Sequence, residues 1–209
     1  MTSTDDLIRS LASAAGTRRS ASLQAALAVT GAASLACALF LVFSVIGIRQ
    51  DFAAMAVRIP FGFKVVYTGA LVFGASVVAL YAATPGASAT ALFAVSPAVI
   101  LLVLGVIFDP TAIPIMGRTN TAVTICVARI LFLSLPAMIL TFVFMRKAAP
   151  TQPLFAGAVI GMLSASVGAL AYTLACRNDG TAFVAIWYAL ACASMAAIGA
   201  IVGHRVLRW

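Results

Sequence analysis

The sequence predicts an all-α integral membrane protein, a bundle of six transmembrane helices with both termini inside (N-in and C-in). Hydrophobic residues make up 64% of the 209 and charged residues 9%, far from the roughly 45–50% apolar and 25% charged usual in soluble domains. None of the five acids is Glu. Six runs reach the roughly 20 apolar residues that a spanning helix needs. A membrane β-barrel would instead show segments of about ten residues with alternating polarity.

The elements follow in chain order. Residues 1–22 read as a cytoplasmic N-terminal tail and residues 23–209 as the six-helix transmembrane domain. In the tail, Thr4 suits an N-cap, Asp5 and Asp6 fall in the first turn where the helix dipole favours acids, and Leu7, Ile8 and Leu11 make one apolar stripe. So short a solvated helix is marginal alone: it either docks on a surface or is a frayed tail that merely precedes the first span. Acids at its front favour a protein partner over a membrane surface, because interfacial helices are usually basic on their polar face. A secretory signal fits poorly: the acids come early, and the first apolar run begins only after Arg18 and Arg19. The first hydrophobic segment is therefore expected to be retained.

The spans are expected near 23–48, 65–84, 89–108, 122–145, 154–175 and 182–202. Turn and interface residues separate them: 49–64, Thr84-Pro85-Gly86, Asp109-Pro110, Arg146-Lys147 with Pro150 and Pro153, and Arg177-Asn178-Asp179-Gly180. Orientation follows from the cations in short loops. N-in puts Arg9, Arg18, Arg19, Arg146, Lys147, Arg205 and Arg208 inside, against Arg49, Arg58, Lys64, Arg118 and Arg177 outside. The net charge of +8 then marks anchors for anionic lipid headgroups rather than direct binding of nucleic acid. Trp187, Tyr188 and Trp209 suit interfacial belts.

The chemistry lies in the cysteines. Cys126 and Cys176 stand near one end of successive spans, on the outer, oxidising side in this orientation. Cys126 lies 20 residues before Arg146 and Cys176 lies 25 after Thr151, about 30 Å and 37 Å along antiparallel neighbours. The offset of about 7 Å exceeds the roughly 4.4–6.8 Å Cα separation of a disulfide, so pairing needs a modest tilt or a frayed end at Cys176. Gly157, Gly161, Ala165 and Gly168 would let the fifth span pack closely on a neighbour. Arg129, three residues after Cys126 and on the same face, can stabilise a thiolate or pair with Asp109. Cys37 and Cys192, each in an Ala-Cys-Ala triplet mid-span, read as small packing residues.

No Cys-x-x-Cys occurs and the one His is His204, too few ligands for a zinc site. Phosphate-loop, H-E-x-x-H and intramembrane acid-pair motifs are also missing. No enzyme activity and no cofactor are expected.

Several spaced motifs point one way. Thr4-Asp5-Asp6-Leu7-Ile8, Ala149-Pro150-Thr151-Gln152-Pro153 leading to Gly157 and Gly161, Ala171-Tyr172-Thr173-Leu174-Ala175-Cys176, Phe183 with Trp187-Tyr188, Gly199, and Leu207-Arg208-Trp209 stand in order along the chain. With these the sequence resembles the NrsF family of bacterial membrane proteins, most specifically from Cys126 to Trp209. The resemblance implies a six-helix, multi-pass inner-membrane anti-sigma factor. Its cytoplasmic N-terminal segment would hold an extracytoplasmic-function (ECF) sigma factor until periplasmic oxidants or heavy metals act on a cysteine pair. Carried over by position, the pair is Cys126 and Cys176, and the sigma-binding segment is the tail around Asp5, Asp6, Leu7, Ile8 and Leu11.

Two other classes stay open on the residues alone. A membrane thiol oxidoreductase would also place cysteines at the outer face, but lacks its dithiol relay motif here. A small transporter would need a polar midplane site, and Arg129 is the one charge deep in a span.

Overall fold

Six long helices account for the six apolar runs. The computed structural model describes residues 4–84, 89–111, 113–117, 122–148 and 150–207. Trp209 and the Pro85-Gly86 turn lie outside the described residues. Helix α1 is Thr4–Leu41, continued by a π-turn at Val42–Ile46. Helix α2 is Ile59–Ala83, α3 Ser96–Ile107, α4 Ala122–Ala148, α5 Pro153–Tyr172 and α6 Thr181–Val206. A 3₁₀ turn at Ala89–Val95 extends α3 to spanning length, and one helical turn at Phe52–Met55 lies in the α1–α2 connection. Among the described residues every regular element is helical, and six stretches are long and apolar enough to cross a membrane.

Helix α5 is the hub. Its most apolar window is 72% buried, against 11% for the span containing α3, and it touches α1, α2, α4 and α6. Composition explains the position. Lipid tails are as apolar as leucine, so helices in a bilayer associate through close packing, which small residues permit. Gly157 and Gly161 of α5 cross Gly199 and Gly203 of α6 backbone to backbone: a Cβ on Gly157 would stand 2.3 Å from the Gly199 carbonyl oxygen, and one on Gly161 2.0 Å from that of Met195. Gly168 faces α4 the same way, 3.0 Å from the Ile130 carbonyl oxygen.

Gly161→Ala is therefore expected to force α5 and α6 apart at a cost of about 1–3 kcal/mol, the usual range for overpacking. Gly31→Ala, whose new methyl would meet no atom within 4 Å, should change stability by less than about 0.5 kcal/mol. Thermal unfolding in detergent distinguishes the two outcomes.

The other helices are more peripheral. Helix α1 meets the bundle along the line Leu27, Ser34, Ala38 and Val42, against α4 and α5. It is a single helix from Thr4, so the expected tail and the first span are continuous in the backbone. Asp5 and Asp6 are exposed in its first turn. The side chains of Leu7, Ile8 and Leu11 lie outside the described residues.

Several expected boundaries shift: α4 runs on to Ala148 and α6 to Val206. Helix α2 begins six residues before position 65, and so takes Lys64 into the bundle. Helix α5 ends at Tyr172, three residues before position 175. Cys37 faces outward on α1, whereas Cys192 is buried.

Candidate functional site

At the end of the bundle where α4 starts and α5 stops, the chain gathers most of its unusual chemistry. Beyond the end of α5 the chain makes single turns, Leu174 N–H to Ala171 O and Cys176 N–H to Tyr172 O. The expected offset does not keep the two cysteines apart. The Cys126 and Cys176 sulfurs stand 3.8 Å apart, and Cys126 Sγ is 3.6 Å from the Tyr172 hydroxyl. Both cysteines are free and buried. Tyr188, fully buried, has its ring 6.4 Å from that of Tyr172. Its hydroxyl approaches Cys176 without closing a hydrogen bond. The interfacial place expected for Tyr188 is thus corrected, whereas Trp187 at the rim donates Nε1–H to the Ile115 carbonyl at 2.7 Å.

Directly behind the sulfurs lies a buried ion cluster. Asp179 Oδ1 accepts from Lys64 Nζ at 2.7 Å and from Arg49 Nη1 at 2.9 Å. The same two cations donate to the Cys176 carbonyl oxygen, at 3.2 Å and 3.1 Å. Arg49 completes its fork on Asp51, with both contacts at 2.8 Å. Its backbone N–H reaches the Leu174 carbonyl at 3.2 Å. Lys64, Asp179 and Arg49 are 0, 3 and 4% exposed, so each charge needs the others: desolvating one without its partner would cost several kcal/mol. Gly47, at φ +82° in a conformation that L side chains rarely adopt, ends the π-turn and swings Arg49 inward.

These contacts set the protonation states. Burial pushes Asp179 up, but the hydrogen bonds and charges of Arg49 and Lys64 outweigh it and hold the carboxyl below the usual range. Arg49 is raised, first by Asp51. Cys176 is drawn well below the ordinary thiol range, chiefly by the hydrogen bond from Cys126 and then, against burial, by the charge of Lys64. The Cys176 sulfur also lies 3.6 Å from the Asn178 carbonyl oxygen.

An open cleft of about 600 Å³ leads in from the surface, with Cys126, Arg129, Tyr172, Arg177 and Asp179 on its walls. Arg129 and Cys126 therefore share one cavity. Asp109, an expected partner of Arg129, is engaged elsewhere: it accepts from Thr111 N–H at 2.9 Å and from Ala182 N–H at 3.1 Å. It thus satisfies an orphan donor in the first turn of α6. No pair between Asp109 and Arg129 forms.

The model of the family described as NrsF, negative regulator of sigma F, matches residues 11–209. This chain belongs to the NrsF family. Asp5, Asp6, Leu7 and Ile8 precede the matched residues of this NrsF chain, and Leu11 opens them. It is 37% identical over 84 residues to the probable anti-sigma-F factor NrsF of Azospira oryzae, and 39% identical over 84 residues to the anti-sigma-F factor NrsF of Caulobacter vibrioides. In both cases the similarity covers 40% of this chain and 39% of the relative. No solved structure matches it.

Sequence reasoning about this NrsF chain missed the ion cluster, because Arg49 and Lys64 read as headgroup anchors. A signal was present. Three cations in a connection placed outside run against the positive-inside pattern, and a cation that breaks the pattern needs an acid, of which Asp179 stands three residues from Cys176. Among the described residues no group of three His, Cys, Asp or Glu could hold a metal ion. Two sulfurs alone can still bridge a soft cation.

The depressed Cys176 predicts a pH profile. A depressed thiol stays ionised until pH falls through its lowered pKa, so alkylation of Cys176 at pH 7 should stay within about twofold of its rate at pH 9. An ordinary thiol, with pKa near 8.5, would slow about twentyfold over that interval. Mass-spectrometric alkylation kinetics on the intact protein would measure this, and a twentyfold drop would refute the assignment.

Proposed function

We propose that this protein is an anti-sigma factor of the bacterial inner membrane. It holds an ECF sigma factor through its cytoplasmic N-terminal segment and releases it when Cys126 and Cys176, on the periplasmic side, meet an oxidant or a thiophilic heavy metal. Family membership across residues 11–209 and the anti-sigma-F role named for the two relatives support the sigma-factor partner. The observation that carries the sensing half is the sulfur pair, 3.8 Å apart beside a buried cation cluster. N-in topology, with its thin excess of inner cations, puts the pair on the oxidising face.

The chemistry is ordinary thiol chemistry. A peroxide takes one sulfur to the sulfenic acid and leaves as water or an alcohol. The second sulfur then attacks the first, forming the disulfide and expelling water. A soft divalent metal would bridge both thiolates and release their protons. Closing from 3.8 Å to the roughly 2.05 Å of a disulfide draws Cys176 towards α4. Its carbonyl also holds Arg49 and Lys64, so this shift disturbs the grip on Arg49. Arg49 follows the far end of α1, whose 38 residues extend about 57 Å. The hydrocarbon core is only about 30 Å thick, so one helix joins the sulfur end of the bundle to the sigma-binding segment.

Deleting residues 1–15 is the direct test. The truncated protein should still insert, with Cys126 and Cys176 labelled from the periplasm by a membrane-impermeant maleimide. The sigma factor should no longer co-purify with the membrane, and its regulon should be on permanently. Unchanged co-purification would overturn the tail assignment, and labelling only after the membrane is opened would overturn the topology.

A further inference from the structure

The cleft over Cys126 carries more positive charge than its own acids can neutralise. Four cations, Arg49, Lys64, Arg129 and Arg177, stand in and behind it against two carboxylates, Asp51 and Asp179. Both acids are already committed, Asp51 to Arg49, with Arg177 near enough to feel its charge, and Asp179 to Arg49 and Lys64. Arg129 and Arg177 are exposed on the cleft walls, and among the described residues neither lies within ion-pair distance of an acid. A thiolate at Cys176 would cancel one charge and leave another.

Arg129 makes the excess expensive. It sits seven residues into α4, about 10 Å below the helix start, where an uncompensated guanidinium in a spanning helix is costly. The cleft, walled on its apolar side by Ile46, Ile48 and Ile125, focuses the field of these cations. Guanidinium forks match the oxygens of a phosphate group bidentately. A cavity of about 600 Å³ is within the size range of small-ligand sites.

We infer that this cleft is an anion site that takes one phosphate-class group between Arg129 and Arg177, over the mouth of Cys126. The group is supplied by a free oxyanion or by an anionic lipid headgroup. An occupied cleft covers the Cys126 thiol, so access to that sulfur depends on the anion. The site does not depend on the identity of the cytoplasmic partner.

The test uses the full chain in zwitterionic detergent and in nanodiscs, and follows the rate of Cys126 alkylation by mass spectrometry. If a free oxyanion is the ligand, phosphate or sulfate in detergent should slow labelling at least threefold relative to chloride at equal ionic strength. If the lipid is the ligand, protection should appear in discs containing phosphatidylglycerol and not in pure phosphatidylcholine, with one bound phosphatidylglycerol seen by native mass spectrometry. In either case R129Q/R177Q should abolish protection, R129K/R177K should keep part of it, and R146Q/K147Q, at the opposite end of α4, should leave it unchanged. Absence of protection in every wild-type arm overturns the inference, and so does protection that survives in R129Q/R177Q. The wild-type arms decide even if the glutamine variant fails to fold.

Discussion

A chain carrying Cys126→Ser and Cys176→Ser is expected to keep its sigma factor bound under oxidant or thiophilic metal, so that a sigma-dependent reporter gives the same signal with and without inducer. Serine keeps the size and one hydrogen-bonding hydrogen of each thiol, so the buried site should survive. It cannot climb the oxidation ladder or bridge a soft metal. Cys37→Ser and Cys192→Ser are the controls. Cys37 faces outward on α1 and Cys192 is buried within α6 away from the cleft, so their replacement should leave induction intact. Induction that survives the first pair, or is lost with the second, would move the sensing site elsewhere.

Asp179→Asn is expected to have the opposite outcome, permanent release. Asp179 Oδ1 is the atom on which both Lys64 and Arg49 converge. Removing its charge strands the buried Lys64 and leaves Arg49 with Asp51 alone, and breaking a buried pair typically costs about 3–5 kcal/mol. For a domain of this size that lowers the apparent Tm by on the order of 10 °C. The reporter should be on without inducer while the protein remains in the membrane. Destabilisation and signalling can be separated with Lys64→Met combined with Asp179→Leu, since apolar replacement of a buried pair often restores stability. A stable double variant that represses and responds normally would show that the cluster only holds the fold.

The spans were legible because a run of about 20 apolar residues has few other fates. The hub position of α5 was legible in part, since Gly157, Gly161 and Gly168 announce close packing, though not that α6 answers with Gly199 and Gly203. The start of α2 was misjudged because Lys64 looked like a loop cation; its neutraliser lies 115 residues away, and no local pattern reports that. The same holds for Asp109, whose partner at Ala182 is 73 residues distant. The cysteine offset came from treating α5 as a regular helix to position 176, when it ends at Tyr172 and Cys176 lies in the turns beyond it. Tyr188 was placed in an aromatic belt by its neighbour Trp187, but a step of one residue on a helix turns a side chain by about 100°. Trp187 looks out and Tyr188 looks in.

The crossing of α5 and α6 at four glycines has a mechanical meaning. Where two backbones interlock at van der Waals contact there is no soft side-chain layer between them, so the pair is stiff. Cys176 sits on the short link between these two helices. When force is applied to elements joined in series, the deformation collects in the most compliant one. With α5 and α6 stiff, a tug on Cys176 passes to the less buried elements it touches, among them the connection after α1, a helix whose most apolar window is 17% buried. In the proposed sensor, a stiff frame beside a more compliant rod would send displacement along α1 rather than dissipate it in the core.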